Sequence, residues 1–177
     1  MELTFYRHPT PDAAPGMCYG RLDLGIGPTG PDEIVDACAN PPKVSQIISS
    51  PAQRARALAE PLAVSSGAPL ITDERLWEMD MGRWEGMLWS DIDRAESDPW
   101  AADALNHPTP DGEAFTQVIK RVGAVLETLQ TPSCIVAHAG PIRAARMILT
   151  DASFDEVFAD PVPYATPITF QKGRWNG

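Results

Sequence analysis

Short apolar runs alternate with helix-forming stretches along this chain, and that alternation is the tightest constraint on what it can fold into. The runs Leu3 to Arg7, Val44 to Ser49 and Ser133 to Ala137 carry large apolar residues at neighbouring positions, as in Phe5-Tyr6, Ile47-Ile48 and Ile135-Val136. Strands of that kind are buried on both faces, which is the habit of a mostly parallel sheet. Helix signals fall between them. Gly30-Pro31-Asp32-Glu33 has Pro at a first helical position and acids in the first turn. Ser50-Pro51 opens a helix that runs to about Val64, with Pro61 as a kink. Phe115, Val118, Ile119, Val122, Val125, Leu126 and Leu129 recur at helical spacing. Gly140-Pro141 opens a further helix to about Thr150, Pro69 to Thr72 reads as a short strand, and Tyr164 to Phe170 as a last strand before a Lys172-Gly173 turn. The expected fold is α/β, a three-layer sandwich with a mostly parallel central sheet covered by helices on both faces. A length of 177 residues suits one domain, 1–177, with an inserted loop and helix cap at about 73–112. Within the cap, short helices are expected near Trp89–Ala95 and Trp100–Leu105.

Three of these strands end on polar residues. The first ends at Arg7-His8, the second at Ser49-Ser50 just ahead of Arg54, and the fourth at His138-Ala139-Gly140. Ligands of open α/β sheets bind beyond the carboxyl ends of the strands. If the strands are neighbours, Arg7, His8, Arg54 and His138 share one crevice, and two helix N-termini point their N–H groups into it. Guanidinium forks match the spread charge of a phosphoryl group, and a neutral imidazole can attack phosphorus in line. The second His can bond an equatorial oxygen when protonated. A general acid is also needed, and the segment 76–86 offers Glu78, Asp80 and Glu85.

The charge balance sharpens this. A formal net charge of −10, from 24 acidic and 14 basic residues, repels nucleic acid and anionic membrane. An anionic substrate therefore needs basic residues gathered at one place. No stretch approaches the ~18 apolar residues that cross a bilayer, and MELTFYRHP lacks the basic and apolar regions of a secretory signal. Cys18, Cys38 and Cys134 form no pair with metal or disulfide spacing. The expectation is a cytoplasmic protein, without membrane or nucleic-acid partners, that acts on a small phosphorylated metabolite.

The motifs, taken in order, resemble the histidine phosphatase superfamily in its phosphoglycerate mutase-like branch. They are Arg7-His8-Pro9, Gly20-Arg21-Leu22-Asp23, Ser50 to Ala55, Glu78 to Gly86, Gly112-Glu113-Ala114 and His138 to Arg143. The resemblance implies a phosphohistidine on His8, a phosphoryl group held by Arg7, Arg54 and His138, and Glu78 as proton donor, with no metal or other cofactor. Arg21 and Ala139 are expected to contact substrate, Arg21 having an ion pair with Asp23 as its alternative. Cys18-Tyr19-Gly20-Arg21 and the short chain most resemble α-ribazole phosphatases, which implies α-ribazole 5′-phosphate as substrate. Phosphoglycerate mutase-type transfer and non-catalytic binding of a phospho-ligand are the alternatives, and a homodimer is compatible with all three. Pro9, Ala14, Ala114 and Ala139 depart from the family pattern; Pro9 removes one backbone donor. Plainer readings stand beside these: Glu113 favouring its own helix N-terminus or holding loops, Arg143 in a structural ion pair, Trp77, Trp84, Trp89 and Trp100 packing core or lid, and His107 incidental.

Overall fold

A computed structural model describes residues 1–171; the Lys172-Gly173 turn lies outside the described residues. Five strands form one sheet: β1 (Glu2–Arg7), β2 (Gln46–Ser49), β3 (Leu70–Thr72), β4 (Ser133–Ala137) and β5 (Pro167–Gln171), in the order β3-β2-β4-β1-β5. The pairings β1–β4, β2–β4 and β2–β3 are parallel, and β5 runs antiparallel along the β1 edge.

The neighbouring apolar residues of each strand go to opposite faces, as a period of two requires. Leu3, Phe5, Ile48, Ile135 and Ala137 enter one core, against α4 (Phe115–Thr128) and α5 (Ala139–Thr150). Tyr6, Ile47, Cys134 and Val136 enter the other, beside α1 (Gly30–Ala39) and α2 (Gln53–Ser66). The central sheet is thus covered by helices on both faces.

Several boundaries differ from expectation, each for a local reason. Helix α2 starts at Gln53 because Ala52 is extended, with ψ of 137°. The last strand starts at Pro167 because Ala165 takes a positive φ of 46°, leaving Tyr164 in a lone parallel bridge with Arg7. Segment 73–112 holds 3₁₀ turns at Glu74–Leu76, Gly82–Trp84 and Trp89–Asp91. Its one α-helix among the described residues is α3 (Arg94–Ala102), which spans the gap between the two expected helices because the Asp93 carboxylate caps Ala95. Helix α6 (Phe154–Ala159) was not expected, yet its Ser153–Glu156 capping box is written in the sequence.

Segment 73–112 is tied to the core through Trp84, which is 1% exposed. Replacing Trp84 by Ala should destabilise the fold by about 3–5 kcal/mol. Urea denaturation reads this directly, and a loss below about 1 kcal/mol would show that the segment packs loosely.

Candidate active site

The sheet order makes β2, β4 and β1 neighbours, so their carboxyl ends lie side by side. Arg7 pairs with Ala137 and Ser49 with Val136. One residue further on, His8 N–H donates to the Ala137 carbonyl and Ser50 N–H to the Val136 carbonyl, both at 2.9 Å. Parallel pairing continued past the strand ends thereby brings His8, Ser50 and His138 into one plane.

The imidazoles of His8 and His138 lie 5.0 Å apart between ring centroids. His8 Nδ1 is 2.7 Å from the Pro9 carbonyl oxygen. A carbonyl only accepts, so Nδ1 carries the proton and Nε2 keeps its lone pair. Pro9 lacks an N–H but retains this carbonyl, so the departure from the family pattern leaves the tautomer control intact. Burial, then Arg54, then Arg7 hold the His8 pKa well below its ordinary value against an opposing pull from the Pro9 carbonyl. The ring is neutral.

His138 is fully buried, and its Nε2 lies 2.8 Å from Ser50 Oγ. The Ser50 hydroxyl has no other acceptor among the described residues, so it donates to Nε2. That leaves Nδ1–H as a buried donor without a partner. Burial, then His8 and the guanidinium groups hold this pKa well below the ordinary value too. The expectation is a second His that bonds an oxygen when protonated; in this tautomer Nδ1–H can donate without an added proton.

Arg54 is 0% exposed. Its Nη1 and Nη2 donate to the carbonyls of Leu22 and Gly20 at 2.8 and 2.7 Å, and its Nε has no partner. Arg7 donates to the Val162 carbonyl and the Tyr164 hydroxyl, both at 2.9 Å, and its Nε is likewise unpartnered. Among the described residues neither guanidinium makes a carboxylate ion pair. Buried charges are ordinarily paired. The buried Arg54, the half-buried Arg7, three donors without a partner among the described residues and the His8 imidazole lie together at this end of the sheet.

The carboxylates sort themselves. Glu78 accepts from Gly140 N–H at 3.1 and 3.2 Å at the start of α5, and from Met79 N–H at 2.9 Å. A side chain at position 140 would meet this carboxylate and push it from its place. Glu85 accepts from the N–H groups of Gly20, Arg21, Leu22 and Met81 and so folds the loop that Arg54 grips. Asp80 accepts from Gly82 N–H within its own turn. Helix α2 has its first N–H, on Gln53, capped by Asp23 at 2.8 Å. The expectation of two free helix N-termini is therefore corrected: one holds Asp23, the other Glu78.

Arg21 is not paired with Asp23. It lies 3.4 Å from Glu113 and 4.0 Å from Asp80, with its side chain 42% exposed. Ala139 lines the cleft beside Gly140 and Glu78. Arg143 bonds the carbonyls of Val157 and Asp160 and stacks on Phe158, rather than joining an ion pair. Glu113 holds loops: it accepts from Asp80 N–H and from Arg121. Arg121 in turn donates to the carbonyls of Arg75, Trp77 and Glu78.

Sequence reasoning missed Ser50's service to His138, the Arg121 clamp, and the tyrosines. Tyr164 lies 5.6 Å from His8 and 3.8 Å from the Arg7 guanidinium carbon. Tyr19 lies 5.5 Å from that of Arg54, and the two phenol oxygens are 3.4 Å apart. Cys18 is buried, and burial with the nearby Glu85 pushes its thiol up to about 12, so it is inert.

Fold and site together define an α/β protein with guanidinium groups and two imidazoles gathered at the carboxyl ends of its parallel strands. The sequence profile of the Histidine phosphatase superfamily (branch 1) matches residues 3–176, and the chain belongs to that family. A Hydrogenobacter thermophilus protein provisionally named phosphoserine phosphatase 2 is 32% identical over 153 residues, 81% of this chain and 75% of that protein. The glucosyl-3-phosphoglycerate phosphatase of Mycolicibacterium vanbaalenii is 30% identical over 172 residues, 87% of this chain and 76% of its own. The alpha-ribazole phosphatase structure from Shigella flexneri superposes with a TM-score of 0.88 at 19% identity, covering 98% of this chain and 92% of that one. That likeness shows the fold. Membership makes the chain a phosphoric monoester hydrolase, and among the described residues no helix is long and apolar enough to cross a membrane.

Both buried histidines have native pKa values below the ~6.5 of an unfolded chain. The unfolded state then binds more protons, so stability falls as pH drops through about 6.5. The urea midpoint should fall between pH 7.5 and 5.5, and His138→Gln should flatten that dependence. An unchanged slope in the variant would contradict the neutral assignment.

Proposed function

We propose that the chain hydrolyses a small phosphomonoester in two steps through a phosphohistidine on His8. The reading is carried by one observation: the buried guanidinium of Arg54 and the half-buried one of Arg7, without carboxylate ion pairs among the described residues, flank an imidazole whose proton is fixed on Nδ1. In the first step His8 Nε2 attacks phosphorus, the ester P–O bond breaks, and Glu78 gives its proton to the leaving oxygen. Arg7, Arg54 and the His138 Nδ1–H bond the phosphoryl oxygens, where preorganised donors act most strongly. In the second step water attacks phosphorus and passes its proton to Glu78. The P–N bond breaks, its electron pair returns to Nε2, and phosphate leaves.

Glu78 is favoured over Asp80 and Glu85 because it lines the cleft with Arg7, and that lining includes neither of the other two. Arg21 orders the cleft through Glu113 and Asp80 rather than touching phosphate, while Ala139 borders the bound ester. Segment 73–112 acts as the cap of one catalytic unit spanning 1–177. A cytoplasmic setting fits the free thiols, and α-ribazole 5′-phosphate is carried as one candidate substrate.

Glu78→Gln separates these roles. It should slow release from an alkyl phosphate by about 10²–10⁴ and from p-nitrophenyl phosphate far less, since that leaving group needs no proton. Equal slowing of both, or of neither, moves the acid to another residue.

A further inference from the structure

A cleft of 330 Å³ is lined by Arg7, Glu78 and Gly140 together with two aromatic clusters from separate parts of the chain. In one, Trp89 and Trp100 stack with centroids 5.8 Å apart and planes 26° apart. In the other, Phe154 and Phe158 lie 4.3 Å apart and Phe115 lies 5.2 Å from Phe158. Trp89 and Phe158 remain 44% and 42% exposed, although both are large and apolar. An exposed apolar patch continuous with a reactive site marks a ligand groove.

Polar recognition is scarce there. The lining includes no Asn, Gln, Ser, Thr or Asp side chain; besides its charged groups it offers the Tyr19 hydroxyl and the Trp100 Nε1–H, a buried donor without a partner among the described residues. Arg143 also lines the cleft, with Nε donating to the Val157 carbonyl at 3.1 Å and Nη2 to that of Asp160 at 3.4 Å. Its guanidinium carbon lies 4.5 Å over the Phe158 ring, which extends the flat wall.

We propose that the substrate's leaving group is an alcohol bearing a flat aromatic or heteroaromatic ring, seated between the tryptophan pair and the phenylalanine cluster. This rests on the phosphomonoesterase reading and narrows its substrate class. The polar leaving groups in the names of the relatives, serine and a glycosylated glycerate, find few partners in this cleft. The ring's faces meet aromatic walls on both sides, where contact is worth more than burial alone.

The test is kcat/KM for four phosphates of primary alcohols, so that every leaving group needs the same proton: 2-naphthylmethyl, benzyl and glycerol 1-phosphates, and O-phosphoserine. The naphthylmethyl ester should exceed glycerol 1-phosphate and phosphoserine by about a hundredfold, with benzyl between. Phe158→Ala and Trp89→Ala, at exposed positions that tolerate truncation, should each cut the naphthylmethyl value about tenfold and narrow the preference. Equal efficiency across the series, or a preference that survives both substitutions, overturns the inference and leaves the phosphatase reading standing. Phosphate release from none of the four overturns both.

Discussion

Arg54 is a guanidinium with no exposed surface and, among the described residues, no carboxylate at ion-pair distance, held by two loop carbonyls. Moving such a charge from water into a protein interior is costly unless it gains partners. The carbonyls of Gly20 and Leu22 supply part of that compensation. Nε has no partner among the described residues, nor have the buried donors on Arg7 and His138, and in the proposed reaction they meet the phosphoryl oxygens. The same positive field, added to burial, keeps His8 neutral. One arrangement thus serves attraction and nucleophilicity together, on a surface whose net charge of −10 would otherwise repel the substrate.

The loops that supply those carbonyls are themselves fixed by carboxylates. Glu85 gathers four backbone N–H groups around Gly20 to Leu22 and Met81. Glu113 and Arg121 join α4 to the chain on either side of Glu78. Asp23 secures the start of α2, one residue before Arg54. The acidic composition is therefore partly a scaffold. Carboxylates shape the backbone around the site while staying off the guanidinium groups that the anion needs.

Much of the fold was legible because burial on both faces of a strand leaves a mark in the sequence. Phe5-Tyr6 and Ile47-Ile48 split between the two cores as their adjacency demands. The gathering of Arg7, His8 and His138 at one place was legible because strand ends in such a sheet converge, whatever the loops do. The remainder depended on contacts across long sequence distances. Arg121 meets carbonyls more than 40 residues away, and Tyr164 reaches Arg7 from 157 residues along the chain. No local pattern encodes those pairs. The mistaken expectation of free helix N-termini came from the same source, since Asp23 and Glu78 arrive from distant loops. Helix α6 was different: its capping box was present and readable.

The account stands or falls on a covalent bond between His8 and phosphorus. Rapid acid-free quenching of the enzyme during turnover of a phosphate-labelled ester, followed by peptide mass spectrometry, tests it directly. The expected result is an alkali-stable, acid-labile phosphoryl group on the peptide that carries His8, formed within one turnover and absent from His8→Asn. Steady turnover with no label on His8, or with label on His138, would contradict it.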